Sequence, residues 1–317
     1  MINTSRRRFM HLSSVGAVAA LAGSLPIIGA RAEDKRYLIG LSMNGIGHPF
    51  SIRMMNGNKA YAAKNFPNVD MLITDGNSQA IKQVQDVESL VARGVDALMI
   101  SPFADEPLTP AVKAAMEKGV PVITLDRTVS TPVTCKIGGD NRKIGIEVGK
   151  FIAKRVGADA KIIEVQGTAG ASATIERGDG FKEGLGGVGK IVAAQNCNYF
   201  RAPAVKFMED MTNRFSDGDF NVVYAHNDAM ALGAIQVLRE RNRLKGVTVV
   251  SIDGEEAAFK EVEAGGMAGC WIYPPCAPEG IKAAYAIVTK QPFEPVQVLP
   301  TVAVTADNVK QFIGTGI

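Results

Sequence analysis

Polar side chains that could hydrogen-bond to a hydroxylated ligand follow almost every predicted strand of this 317-residue chain. In open parallel sheets, ligands bind beyond the carboxyl ends of the strands, so a site is expected at these positions. In chain order the polar residues are Asn44, Asp75, Ser101, Asp126, Arg127, Gln166, Asn196, His226, Asn227, Asp228 and Asp253. The pattern predicts one cleft lined with hydrogen-bonding groups.

The pair Asp126 and Arg127 carries most of this prediction. Strand ends also face solvent, and Asp or Ser there commonly caps the next helix, which explains Asp75 and Ser101 well. A carboxylate beside a planar guanidinium is less easily explained in that way. It offers an acceptor and a forked donor to neighbouring hydroxyls, as a polyol requires.

Aromatic residues occur near the same strand ends, namely Phe50, Tyr199, Phe200, Trp271 and Tyr273. A sugar has apolar C–H faces and a rim of hydroxyls, so sugar sites combine aromatic walls with Asp, Asn and Arg. A single aromatic residue more often packs in a core, and this alternative is strongest for Trp271. The coincidence of aromatic and polar residues favours a carbohydrate ligand.

Patterns that would indicate catalysis are weak. The segment GLGGVG at 184–189 satisfies G-x-G-x-x-G, but it follows a predicted helix and precedes a strand, the reverse of a phosphate-binding loop. The motifs G-x-S-x-G and H-E-x-x-H are absent from the sequence. Asp126 and Asp253 could in principle form an acid–base pair for glycosidic cleavage, but nothing favours that over hydrogen bonding. The sequence therefore predicts a binding protein without a cofactor, and a secreted carbohydrate-active enzyme is the alternative.

The elements that must position these residues alternate between strand and helix from Tyr37 onward. One β-α series runs to a strand at 120–125, and a second begins with a helix at 144–156. Such alternation predicts parallel sheets covered by helices on both faces. Because the strands are too many for one sheet of ordinary width, we predict an α/β fold with two doubly wound lobes.

The first 32 residues have the features of an export signal. A Ser-Arg-Arg-Arg-Phe-Met sequence at 5–10 resembles the twin-arginine signature, an apolar stretch follows at 15–28, and Ala30-Arg31-Ala32 has the form of a cleavage site. A transmembrane anchor is the alternative, but the stretch is short and is broken by Gly16, Gly23, Pro26 and Gly29. We predict cleavage after Ala32 and a periplasmic location.

Charge and cysteine content limit the kinds of partner and metal site that the protein could have. Residues 1–32 hold four of the 35 Lys and Arg, so 31 remain against 32 Asp and Glu, and no basic stripe indicates nucleic acid or an anionic membrane as partner. The four cysteines are Cys135, Cys197, Cys270 and Cys276. Their spacing fits neither a C-x-x-C redox motif nor a zinc site, so no metal is expected. Each is read as a small buried hydrophobe, and any disulfide pairing stays open.

Five segments of the sequence resemble a known family. They are VITLDR (122–127), GDN (139–141), EVQGTAGAS (164–172) running to ERG (176–178), YAHNDAMALGA (224–234) and SIDG (251–254). In this order they resemble the sugar-binding proteins of bacterial ABC importers, in the ribose- and galactofuranose-binding group of type I periplasmic binding proteins.

The resemblance implies a set of ligand contacts. Carried over by position, these are Asn44, His48, Phe50, Asp126, Arg127, Asn141, Arg177, Tyr199, Asn227, Asp253 and Tyr273. His48 stands where the ribose group has Asn, Tyr199 where the family has a stacking Phe, and Tyr273 where the ribose binder has Gln. These larger rings predict a pocket for one small sugar or polyol, such as a furanose or pentose, with little room for a second sugar unit.

The resemblance also implies the architecture and partners. Three crossings, near 138–141, 272–275 and 299–302, would form a hinge between an N-lobe of 33–139 plus 274–300 and a C-lobe of 140–273 plus 301–317. Ligand would close the lobes, and a membrane permease would recognise the closed form. Presentation of the sugar to a chemoreceptor is a further expectation. A sugar-responsive regulator shares the fold, but the export signal stands where its DNA-binding segment would be.

Overall fold

The computed structural model describes residues 35–316, so the predicted signal at 1–32 lies outside the described residues. The strands are β1 (Tyr37–Met43), β2 (Val69–Asp75), β3 (Ala97–Ile100), β4 (Val122–Leu125), β5 (Cys135–Gly139), β6 (Lys161–Gln166), β7 (Lys190–Asn196), β8 (Val222–Ala225), β9 (Thr248–Asp253), β10 (Gly269–Ile272), β11 (Val296–Leu299) and β12 (Val302–Thr305). The helices are α1 (Pro49–Asn65), α2 (Ala80–Ala92), α3 (Asp105–Glu117), α4 (Asn141–Arg155), α5 (Ser172–Leu185), α6 (Arg201–Arg214), α7 (Asp228–Glu240), α8 (Glu256–Glu263) and α9 (Glu279–Val288).

These elements form two six-stranded sheets. Sheet A has the order β11-β5-β4-β3-β1-β2, and sheet B has the order β12-β10-β9-β8-β6-β7. Every pairing is parallel except that of β10 with β12, which is antiparallel. The predicted fold, two doubly wound α/β lobes, is confirmed. We call the part built on sheet A the first lobe and the part built on sheet B the second lobe.

Short apolar runs form the central strands because both of their faces are covered. All four residues of β3, of β4 and of β8 are buried. A strand buried on both faces has no polar alternation, which is why these segments read as continuous apolar runs in the sequence.

The chain passes between the sheets at three places. It leaves sheet A after Gly139, the end of β5, and α4 then begins at Asn141. It leaves sheet B after β10, because the next helix, α9, packs on β3, β4 and β5 of sheet A. It returns between β11 and β12, since these two strands lie at the edges of different sheets.

The sequence reading missed β5, β11 and β12. β5 has the sequence CKIGG, and β11 exposes Val296 and Val298. Strands with glycine pairs or exposed edges lack the apolar signal of a central strand. The sequence also predicts a helix that begins at Pro110, whereas helix α3 begins five residues earlier, at Asp105.

Helices α4 and α5 pack at unusually close range through glycines. A Cβ atom at Gly145 or Gly149 of α4, or at Gly180 or Gly184 of α5, would overlap backbone of the other helix. The missing side chains let the two backbones touch. This packing brings the start of α4 beside the first turns of α5, where Arg177 lies. No helix among residues 35–316 is long and apolar enough to cross a membrane.

Candidate functional site

A small cavity lies between the two lobes. The first lobe contributes His48, Phe50, Asp126 and Arg127, and the second contributes Ala173, Arg177, Tyr199, Asn227 and Asp253. Eight of the eleven residues predicted from the sequence therefore line one cavity. Ala173 was not predicted, because a small apolar residue at the start of a helix carries no sequence signal for a ligand.

Three of these residues have unusual backbone conformations. The φ angles of Asp126, Tyr199 and Asp253 are 64°, 64° and 138°. Residues other than glycine rarely adopt positive φ, and such strain persists where the surrounding fold enforces it, often at binding sites. Each of the three lies at or just after a strand end, where the chain turns to present the side chain.

Asp126 and Arg127 form the polar wall of the first lobe. The Arg127 guanidinium donates through Nη1 to the carbonyl oxygen of Phe103 at 2.9 Å, and its Nε lies 3.6 Å from Asp126 Oδ2. Asp126 Oδ1 and Arg127 Nε are both buried and have no hydrogen-bond partner among the described residues. A buried acceptor and a buried donor thus lie side by side at the cavity.

Arg177 of α5 is the corresponding cation of the second lobe. Its Nε donates to Asn141 Oδ1 at 2.8 Å, and its Nη1 donates to the backbone oxygen of His226. Nη1 also lies 3.9 Å from Asp253 Oδ1. Burial raises the pKa of the Asp253 carboxyl, and the charge of Arg177 opposes that shift. The guanidinium is therefore held on two sides before any ligand contact.

The Tyr199 ring lies close to both cations. The Arg127 guanidinium carbon is 5.0 Å from the Tyr199 ring centroid, and that of Arg177 is 5.9 Å from it. The Tyr199 hydroxyl shares a 2.9 Å hydrogen bond with the Thr174 hydroxyl. A Cβ at Gly167 would overlap the ring, so the ring packs directly on the glycine backbone. Tyr199 is thus fixed as a flat wall.

His48 and Phe50 close the cavity from the first lobe. His48 Nε2 lies 3.2 Å from the Ser51 hydroxyl, while its Nδ1 is buried and has no partner among residues 35–316. Burial, aided by the charge of Arg127, lowers the pKa of His48 to about 4, so the ring is neutral at pH 7. The Phe50 ring packs edge-on against Tyr273, with centroids 5.6 Å apart.

Three predicted residues lie behind the cavity wall. Asn44 donates through Nδ2 to the Ser101 hydroxyl at 2.9 Å. Asn141 accepts from Arg177 and donates through Nδ2 to the Tyr273 hydroxyl at 3.2 Å. That hydroxyl also accepts from the backbone N–H of Gly139 at 3.1 Å. Asn141 and Tyr273 therefore reach the cavity through Arg177.

Asn227 lines the cavity and also caps a helix. Its Oδ1 accepts from the backbone N–H of Met230 at 3.0 Å, and its Nδ2 donates to the backbone oxygen of Tyr199 at 3.1 Å. The capping bond uses the oxygen, as expected at a helix N-cap. One amide hydrogen remains for another acceptor.

Other sequence features lie outside the cavity. Trp271 is buried and packs edge-on against Phe151, with centroids 5.5 Å apart, as the core alternative predicted. The segment 184–189 joins α5 to β7, so no helix begins after it to receive a phosphate. The four cysteines are free thiols, and all are buried.

A two-lobed α/β protein with a polar and aromatic cavity at the strand ends is a ligand-binding protein of the periplasmic type. The chain belongs to the periplasmic binding protein domain family, whose pattern matches residues 39–291.

Individual relatives agree with this. The chain is 34% identical to the ribose import binding protein RbsB of Bacillus subtilis over 73% of this chain and 74% of that protein. It is 30% identical to the xylitol-binding protein of Mycolicibacterium smegmatis over 94% of this chain and 87% of that protein. A solved ABC transporter solute binding protein from Mycobacterium smegmatis with bound glycerol superposes with a TM-score of 0.82 at 32% identity, covering 88% of this chain and 97% of that one. The resemblance noted in the sequence is confirmed.

Proposed function

We propose that this protein binds one small sugar or polyol and delivers it to an ABC importer. The observation that carries the proposal is the pairing of unpartnered Asp126 Oδ1 and Arg127 Nε in a cavity that Arg177 and Asp253 complete from the other lobe. Two arginines and two aspartates suit a hydroxyl-rich ligand that carries no net charge. The names of the relatives, ribose-binding and xylitol-binding, support the same ligand class.

The ligand we propose is a monosaccharide or pentitol, with a furanose or pentose as the first candidates. The rings of His48, Phe50 and Tyr199 crowd the cavity between the lobes, which therefore has no room for a second sugar unit. The eight predicted residues that line the cavity are the direct contacts in this proposal. Asn44, Asn141 and Tyr273 then act by holding the wall rather than by touching the ligand.

Contacts across the cleft support hinge closure as the mechanism. The backbone N–H of Thr128 donates to the Ser172 hydroxyl at 2.9 Å, and that of Asp105 donates to the Gly170 oxygen at 3.0 Å. On the other flank, the His48 and Phe200 rings are 6.0 Å apart. We propose that the lobes meet in this way around the ligand, with the lobe boundaries at 139/140, 273/274 and 300/301. The permease would then distinguish the closed form from the open one.

The family places the protein in the periplasm. We further propose export by the twin-arginine route, with cleavage after Ala32. N-terminal sequencing of the periplasmic protein tests this: a first residue of Glu33 is expected, and retention of Met1 would contradict it. Presentation of the bound sugar to a chemoreceptor stays a prediction.

A titration panel tests the ligand proposal. Ribose, xylitol, galactose, myo-inositol, sucrose and glucuronate are screened by thermal shift, and the hits are measured by calorimetry. We expect a neutral monosaccharide or polyol to bind best and to be recovered chemically unchanged. Tight binding of sucrose would contradict the size argument, and preference for glucuronate would contradict the charge argument. Turnover of a bound sugar would place the protein among the enzymes.

A further inference from the structure

A buried acid–histidine pair lies directly behind Arg177. Glu164 of β6 and His226, which follows β8, are in contact at 3.0 Å between Oε1 and Nε2. The side chains are 1% and 0% exposed. Neither residue lines the cavity, so ligand contact does not explain the pair.

The contact at the other ring nitrogen, Nδ1, shows which nitrogen of His226 carries the hydrogen. The backbone N–H of Gly167 points at His226 Nδ1 with a separation of 3.5 Å, so Nδ1 is the acceptor. Nε2 then carries the hydrogen and donates it to the Glu164 carboxylate. Burial lowers the pKa of His226 more than the bond to Glu164 raises it, and the nearby charge of Arg177 lowers it further. Burial raises the pKa of the Glu164 carboxyl, but the hydrogen bond from His226 and neighbouring charges lower it overall. The pair is therefore a neutral imidazole bound to an ionised carboxylate.

The pair packs against the backbone that carries Arg177. The next residue is Gly178, where a Cβ would lie 3.2 Å from Glu164 Oε1 and 3.8 Å from His226 Cε1. Tyr224, two residues before His226, donates from its hydroxyl to the Arg177 backbone oxygen at 3.4 Å. The end of β8 and the first turns of α5 are thus held in one arrangement.

His226 connects the pair to two cavity residues. Its backbone oxygen accepts from Arg177 Nη1, and its peptide leads directly into Asn227. The His226 N–H donates to the Val165 oxygen at 2.9 Å, so β6 holds the backbone of His226 while Glu164 of the same strand holds its ring. Arg177 therefore has two defined acceptors: the His226 carbonyl oxygen for Nη1 and Asn141 Oδ1 for Nε.

We propose that Glu164 and His226 are positioning residues that aim the Arg177 guanidinium at the ligand. The inference rests on the proposed function, because it assigns a role in ligand binding to a pair that does not touch the ligand. A preorganised guanidinium loses less freedom on binding, so disruption of the pair should weaken every ligand that Arg177 contacts.

A double-mutant cycle with Arg177 is the test, with D-ribose and xylitol as probes. Glu164→Gln keeps the shape and removes the charge. We expect it to weaken binding about tenfold alone, and less than twofold on an Arg177→Lys background, because coupled residues are not additive. Glu183→Gln is the control, because Glu183 is exposed on α5, the helix that carries Arg177, and this variant should leave the affinity unchanged. Equal losses on both backgrounds, or no loss from Glu164→Gln, would overturn the proposal.

A second measurement does not depend on the ligand or on the variants folding. In the unliganded wild-type protein, nitrogen-15 NMR should show His226 protonated at Nε2 alone between pH 6 and 8, and slow exchange of the Arg177 Nε hydrogen with water. Nδ1 protonation, or fast exchange of that hydrogen, would refute the positioning role. If neither probe binds while both signals are as expected, the ligand proposal fails and the positioned guanidinium stands.

Discussion

Arg127 and Arg177 come from different lobes and stack on the same Tyr199 ring, with guanidinium carbons 5.0 Å and 5.9 Å from its centroid. Arg127 belongs to the segment after β4, whereas Arg177 belongs to α5. The two cations share this ring only while the lobes are together. Asp126 and Asp253 lie beside them and balance the charges.

Replacing either arginine by lysine should weaken sugar binding. Lysine keeps the charge but loses the flat, forked donor set. Loss of a buried hydrogen bond to a charged group costs about 1.5 to 3 kcal/mol, so Kd from calorimetry should rise about 10- to 100-fold. Arg142→Lys is the control, because Arg142 is half exposed and pairs with Glu183. Wild-type affinity in Arg177→Lys would show that this guanidinium is not a ligand contact.

Gly167→Ala should damage the site through Tyr199. The new methyl would overlap the aromatic ring, so the ring would have to move and would strain or break the hydrogen bond between its hydroxyl and Thr174. We expect Kd to rise about tenfold or more, because misplaced contacts lose their hydrogen bonds. Gly246→Ala makes a matched control, since a Cβ there meets nothing within 4 Å. If both variants bind alike, the Tyr199 wall is not needed.

Glu255 should make the protein less stable as the pH rises. Burial and the neighbouring Asp228 charge raise the pKa of Glu255 from 4.5 to about 7, although Arg201 opposes them. The folded state then holds this proton more tightly than the unfolded state, so stability falls between about pH 4.5 and 7.

The substitution Glu255→Gln should remove this pH-dependent loss of stability. Near pH 8, urea unfolding should show the variant more stable by up to about 3 kcal/mol, with the gain disappearing near pH 4. His48 has its pKa lowered to about 4, so it has the opposite slope in the same range and must be left unchanged. Glu263→Gln, at an exposed position, serves as the control. A gain that is equal at both pH values would contradict the assignment.

Ser172→Ala should loosen closure without changing ligand preference. Its hydroxyl accepts the Thr128 N–H across the cleft, and the variant leaves that donor unpaired. A hydrogen bond of this kind is worth about 0.5 to 1.5 kcal/mol, so every ligand should weaken by about 2- to 12-fold alike. Thr212→Ala, which removes a hydroxyl bonded only within its own helix, is the comparison. A selective loss for one sugar would instead make Ser172 a ligand contact.

Reducing agents should leave the melting temperature unchanged. All four cysteines are free and buried, and burial raises the pKa of Cys135 and Cys197 to about 11. Because the thiolate is the reactive form, iodoacetamide should not label the native protein at pH 8. A drop in melting temperature with dithiothreitol would reveal a disulfide.

The sequence was sufficient for the fold and for most of the cavity. Buried parallel strands read as apolar runs, and their polar ends identify the cleft, as Asp126 and Asp253 show. The sequence could not show which side chains line the cavity and which lie behind its wall. Asn141 and Tyr273 have the same residue types as Asn227 and Tyr199, which line the cavity, yet they hydrogen-bond to each other and to Arg177 or the Gly139 backbone. The edge strands β11 and β12 were missed because half-exposed strands carry little apolar signal, and β5 was missed because it ends in a glycine pair.

The glycine contacts between α4 and α5 couple the movements of these two helices of the second lobe. Two backbones that touch at Gly145, Gly149, Gly180 and Gly184 cannot slide or tilt independently, so the pair moves as one stiff body. Its near end is Asn141, two residues beyond the last residue of β5, and Arg177 is bonded to that same asparagine. Any rotation at this crossing would therefore swing the guanidinium through a fixed arc. Alanine at one of these glycines would force the two backbones apart, and the guanidinium would be displaced although no residue of the cavity itself had been replaced.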